Sequence, residues 1–153
     1  MWYSSKDGQY INEGVAFTID GVQYPQNYLN LSTPAEKTSI GLEEVIATNI
    51  PLSDKYYWVS STLDKASLTY VNTPKDLAEC KNNDINQINQ IAYSLLLPTD
   101  WLVVMATETG TSIDATWKAW RASIRASASN QINAINGCTT IEQLVALAPV
   151  VWQ

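Results

Sequence analysis

A chain of 153 residues with 46% apolar side chains can bury a core without metals or disulfides, and it is too apolar to stay disordered. Its 15 acids against 9 Lys and Arg give a net charge of −6, which argues against nucleic acid as a partner. No apolar run approaches the roughly 20 residues that cross a bilayer, and the complete lack of histidine removes most transition-metal sites and every His-based nucleophile.

The start, Met1-Trp2-Tyr3-Ser4-Ser5-Lys6-Asp7, lacks the basic end and apolar stretch of a secretory leader, so folding in the cytoplasm is expected. Val15, Phe17 and Ile19 then alternate with Ala16 and Thr18. Asp20-Gly21 follows, and Val22-Gln23-Tyr24 leads into Pro25. An Asp-Gly pair between alternating segments predicts a hairpin, because both turn positions need positive φ. Pro25 ends the second strand, since it has no N–H for a ladder. Thr33-Pro34-Ala35-Glu36 supplies an N-cap, a first helical residue and a capping-box partner, and Gly41 supplies a stop. A short helix is therefore expected over residues 34–40. Aromatic and β-branched runs predict strands at residues 56–60 and 66–70, with residues 61–65 as the turn between them.

The character of the chain changes at Thr73-Pro74-Lys75-Asp76, which repeats the helix-start signal. The helix expected over residues 74–96 carries Leu77, Cys80, Ile85, Ile88, Ile91 or Ala92, and Leu95 at helical spacing, and ends before Pro98. The connector that follows admits two readings. Thr99 or Asp100 caps a short helix closed near Gly110, or Leu102 to Met105 is extended; helix is favoured. A second long helix bears Ile113, Trp117, Trp120, Ile124, Ala128, Ile132 and Ile135, with Gly137 as its C′ residue. Thr139-Thr140-Ile141-Glu142-Gln143 opens a last helix that Pro149 stops.

Taken together, these elements predict an α+β protein. A small N-terminal antiparallel β module occupies residues 1–72. An antiparallel helical hairpin with a short C-terminal helix occupies residues 73–153. The apolar stripes of the two long helices should face each other and part of the N-terminal sheet, and the Ala and Ser positions between Ala122 and Ser129 permit close approach. Cys80 and Cys138 then lie at the same end of the hairpin. They are too few for a disulfide scaffold and are not spaced as a zinc motif; a disulfide between them is geometrically conceivable, and reduced, packed thiols are the expectation in a cytoplasmic setting.

The residues offer little for chemistry. Glu43 and Glu44 are adjacent, so they point in different directions, and no Gly-rich phosphate loop or nucleophile elbow occurs. Neither catalytic residues, a cofactor nor a metal is expected, and the protein is not expected to be an enzyme. The aromatics are 6 Trp and 8 Tyr against 1 Phe, the types favoured at interfaces and equally at home half-buried in a core. Lys118, Arg121 and Arg125 line one face of the second long helix. They suit an acidic partner, but a solvated face or ion pairs with Glu108 and nearby acids is the expectation. Trp117 and Trp120 are expected in the core. Trp152, in the tail after Pro149, is expected to dock either on a partner or on its own domain.

Two stretches resemble known phage proteins. Residues 17–29, Phe-Thr-Ile-Asp-Gly-Val-Gln-Tyr-Pro-Gln-Asn-Tyr-Leu, followed by Ala35-Glu36-Lys37 and Gly41-Leu42, resemble an N-terminal module of tail-fibre-associated proteins of tailed bacteriophages. Leu96-Leu97-Pro98-Thr99-Asp100-Trp101, Glu108-Thr109-Gly110, Trp120-Arg121-Ala122-Ser123-Ile124-Arg125 and Pro149-Val150-Val151-Trp152 are similar to the C-terminal region of phage tail assembly chaperones and tail-fibre assembly proteins. The chain departs from that pattern at Met105-Ala106 and Ser112-Ile113, within the connector. The resemblance implies a chaperone that helps tail fibres fold or trimerise in the host cytoplasm and acts by protein–protein binding. A structural component of the fibre, baseplate or virion tail is the alternative. The implied partner is a tail-fibre or other tail protein, with no nucleic acid and no membrane. The candidate partner-binding residues are Tyr24, Tyr28, Trp101, Arg121, Arg125, Val151 and Trp152.

Overall fold

The computed structural model describes residues 1–152 and belongs to the α+β class. It comprises two compact units, Met1–Thr73 and Pro74–Gln153. The first contains β1 (Trp2–Ser4), β2 (Tyr10–Ile11), β3 (Phe17–Ile19), β4 (Val22–Tyr24), α1 (Tyr28–Leu31), α2 (Pro34–Ser39), β5 (Leu42–Glu44), β6 (Ile46–Ala47), β7 (Tyr57–Asp64) and β8 (Ser67–Pro74). The second contains α3 (Leu77–Leu96), a 3₁₀ turn (Leu97–Thr99), α4 (Asp100–Thr109), α5 (Ala115–Gly137) and α6 (Ile141–Val145).

In the first unit β1 pairs antiparallel with β2 on one side and β5 on the other. The β3–β4 hairpin turns at Asp20 (φ 51°) and Gly21 (φ 76°), the two positive-φ positions that an Asp-Gly loop accommodates. This register sends Ile19 inward to join Ile11, Leu29 and Leu42 in a core, against which Trp2, Phe17, Tyr24, Tyr28 and Ile40 pack. Val15 stays exposed, outside the strand. The capping box forms as its residues predict: the Glu36 N–H donates to Thr33 Oγ1, and the Thr33 N–H donates to Glu36 Oε2 at 2.7 Å. Gly41, at φ 85°, then turns the chain from α2 into β5. A Cβ there would sit 3.0 Å from the Lys6 side chain.

Two expectations for this unit are corrected. Residues 61–64 are not a turn; they extend β7, and the chain reverses at Lys65 and Ala66, with Lys65 at φ 52°. Ser61, Thr62 and Leu63 are compatible with extended backbone, so the turn moves to where the left-handed residue sits. The module is also not wholly antiparallel, because β6 runs parallel to β8, pairing Ile46 with Ser67 and Ala47 with Leu68. Beyond that short ladder, asparagine side chains take over the backbone pairing. Asn49 exchanges two 2.8 Å hydrogen bonds with the Tyr70 backbone, and Asn72 Oδ1 accepts from the Leu52 N–H at 2.9 Å.

In the second unit α3 begins later than expected. Asp76 is its N-cap, accepting from the Glu79 N–H at 2.8 Å, while Thr73 and Pro74 finish β8. A carboxylate at that position also meets the positive end of the helix dipole, which a threonine does not exploit. The favoured helical connector is present as α4, closed by Gly110 at φ 68°. Asp114 caps α5 through the Thr116 N–H, so Ile113 precedes the helix. Gly137 is not a C′ residue: it lies in the last turn, and extended Cys138 is the cap. α6 stops at Val145, before Pro149, with Ala146 as its C-cap.

The long helices pack antiparallel. At one end Lys81 Nζ donates to the Asn136 carbonyl at 3.0 Å, and at the other Arg121 Nη1 donates to the Leu96 carbonyl at 3.0 Å. Between them Ala92, Ile124 and Ala128 form the centre, surrounded by Ile88, Leu95, Leu96, Trp120 and Trp152. The two alanines let the backbones approach, and burying Ile124 contributes about 1.5–3 kcal/mol. Cys80 and Cys138 are buried and unbridged. Among the described residues no helix is long and apolar enough to cross a membrane.

Candidate functional site

Residues 100–109, Asp-Trp-Leu-Val-Val-Met-Ala-Thr-Glu-Thr, form a helix whose first half is almost entirely apolar. Such a helix ordinarily buries its greasy face. Yet no residue of α4 is buried: Trp101 is 60% exposed and Val104 55%, and Tyr93 and Leu97 on the approach to it are exposed as well. This is the helical unit's largest concentration of uncovered aromatic and aliphatic side chains, of the kind that marks an interaction surface.

Arg121 sets the position of α4. Although cationic, it is 5% exposed. Its Nη1 donates to the Leu96 carbonyl and to Thr99 Oγ1, and its Nη2 donates to Asp100 Oδ1 at 2.7 Å. One guanidinium thereby joins the end of α3, the 3₁₀ turn and the first residue of α4. Its planar fork suits several fixed acceptors at once, where an ammonium would not. Of the face expected to be solvated or paired with Glu108 and nearby acids, Lys118 and Arg125 are exposed and Arg121 pairs with Asp100; Arg121 itself is interior, with three oxygens converging on it.

Beyond Arg121, α4 and the start of α5 enclose an open groove of about 410 Å³. Val103, Ala106 and Ile113 give its lining an apolar part, Thr111 and Ser112 add hydroxyls, and Lys118, Arg121 and Arg125 line it as well. Lys118 and Arg125 are exposed. Among the described residues the ion pair at this end of the unit is Arg121 with Asp100, which leaves the other two cations unneutralised.

The predicted residues divide between the two units. In the first, Tyr24 and Tyr28 are half-buried in an aromatic cluster with Phe17. Tyr24 stacks on Phe17 at 5.1 Å, and Tyr28 meets Tyr24 edge-on at 4.8 Å. In the second, Trp101 is exposed on α4, Arg121 is interior and Arg125 is at the groove. Trp152 packs against the α3–α5 core of its own unit, and its neighbour Val151 is 69% exposed. Of the two tryptophans expected in the core, Trp120 packs there, whereas Trp117 stands largely exposed and meets Trp120 edge-on at 5.8 Å. Sequence reasoning missed Val103, Val104, Met105 and the anchoring role of Thr99. The available signal was the run of apolar residues in α4, which lacks the polar alternation of a helix with one solvated face.

Among the described residues no three His, Cys, Asp or Glu side chains converge as a metal set would. Compared with known proteins, the chain matches no family model, no curated sequence and no solved structure.

Proposed function

We propose that the chain works by binding another protein, as an assembly chaperone for a phage tail fibre in the host cytoplasm, and carries out no catalysis. The observation that carries this reading is α4, an apolar helix with no buried residue and with Trp101 and Val104 facing outward. A helix of that composition standing in water is a surface awaiting a partner. Fibre chains that have not yet closed into trimers expose apolar strand edges, which aggregate. A rigid aromatic and aliphatic face covers such edges until the trimer closes. Arg121 then acts as a positioning residue that keeps the face presented. The resemblance at Asp100-Trp101 and at Trp120 to Arg125 supports the same reading, since it falls on α4 and on the arginine that holds it.

Co-expression with the neighbouring tail-fibre gene tests the proposal. The fibre is expected to be soluble and trimeric only when this chain is present, and an unchanged fibre yield would remove the chaperone role. Purified virions separate a departing chaperone, absent from them, from a permanent tail component present in fixed stoichiometry.

A further inference from the structure

We propose that the groove between α4 and α5 is the docking site for an acidic, aliphatic peptide segment of the partner protein. The inference rests on the protein-binding function proposed above and adds the chemistry of what is bound. Its volume of about 410 Å³ falls within the range of about 300–1,000 Å³ typical of ligand sites, room for a few side chains and not for a folded domain. The lining side chains of Val103, Ala106 and Ile113 accept aliphatic groups. Lys118 and Arg125, exposed in the lining, carry two positive charges without a carboxylate partner among the described residues, on a chain whose net charge is −6. Arg121 is different, because Asp100 already neutralises it and its hydrogen bonds are engaged inward. Two free cations beside apolar lining side chains complement one or two carboxylates flanked by aliphatic residues. A nucleic acid is disfavoured, because its affinity comes from many phosphate contacts and the acidic chain as a whole repels a polyanion.

The test uses the full chain with isotopically labelled methyl groups and three probes: the capped peptide Leu-Glu-Leu-Asp-Leu, its neutral counterpart Leu-Gln-Leu-Asn-Leu, and a short oligothymidylate. The acidic peptide is expected to shift the methyl signals of Val103, Ala106 and Ile113. The neutral peptide should bind at least about tenfold more weakly, equivalent to about 1.4 kcal/mol. The Lys118→Gln/Arg125→Gln double variant should lose a similar factor, and Lys118→Arg/Arg125→Lys should retain binding. Both sites are exposed, so an unchanged melting temperature verifies that the variants fold. Equal binding of the two peptides, tighter binding of the oligothymidylate, or no methyl shift with any probe would overturn the assignment. The double variant is also carried into fibre co-expression. Full fibre rescue by it sinks the groove assignment while leaving the chaperone proposal standing. Failure of the wild-type chain to rescue the fibre, with selective acidic-peptide binding intact, does the reverse.

Discussion

Arg121 donates to the Leu96 carbonyl, Thr99 Oγ1 and Asp100 Oδ1 from a site 5% exposed. Hydrogen bonds from a charged donor are worth about 1.5–3 kcal/mol, and their loss strands acceptors at the end of a helix. Arg121→Met, which keeps the stem and removes the fork, is expected to destabilise the helical unit by about 2 kcal/mol in urea unfolding. It should also loosen α4, seen as faster amide exchange there than in α3. An unchanged α4 would deny Arg121 its positioning role. Cys80 offers a second test. Its burial, with the carboxylates of Asp84 and Glu79 nearby, pushes the thiol above its ordinary value. The thiol form is thus favoured more in the folded chain than in the unfolded one. The stability it supports is whole below the unfolded thiol pKa, about 8.5, and is lost as pH climbs toward the higher folded value. Melting temperatures measured on either side of that pH should fall more for the wild type than for Cys80→Ala. Equal slopes would show that the buried thiol makes no contribution. Both buried cysteines were visible in the sequence as packed thiols. The interior position of Arg121 was not, because a helical face of Lys118, Arg121 and Arg125 looks solvated until Thr99 and Asp100 are known to close over its middle member.

At the level of elements, α4 and the β7–β8 hairpin behave unlike their neighbours. Trp101→Ser removes a large apolar side chain that is 60% exposed, so it should change stability by no more than about 0.5 kcal/mol. It should nevertheless abolish rescue of the fibre in co-expression. Ile124→Ala, at the centre of the α3–α5 interface, should do the opposite: it costs about 2–5 kcal/mol through the cavity it leaves. If Trp101→Ser unfolded the chain, α4 would be a core helix and not a binding face. In the hairpin, Tyr57 is the one buried residue of β7. β7 is the edge of the β6–β8–β7 sheet, and beyond Tyr57 neither it nor β8 has a buried residue, so little apolar burial protects their amides. Amides of β7 and β8 beyond Tyr57 should therefore exchange well before those of α3 and α5, as hydrogen-exchange mass spectrometry can measure. Helix starts were legible where a cap is local, as in Thr33 with Glu36 or Thr140 with Gln143. They were misplaced where two caps competed, as at Thr73 and Asp76. The length of β7 was underestimated because strand ends depend on cross-strand pairing, which no local pattern carries.

For the whole molecule, the sequence by itself determined the class of fold. Alternation with an Asp-Gly turn specified the first hairpin, and three- and four-residue spacing specified the long helices. Both periodicities are properties of neighbouring residues. Tertiary structure decided what those patterns meet. The parallel pairing of β6 with β8 joins residues far apart in the chain, with Asn49 and Asn72 completing it. Trp152 turns onto its own helices while Trp101 is left uncovered, although both are tryptophans in apolar stretches. Burial of a side chain is fixed by what packs over it, and that depends on how helices and strands assemble. The groove beside Lys118 and Arg125 follows the same rule, since its lining comes from α4, the connector after it and α5 together.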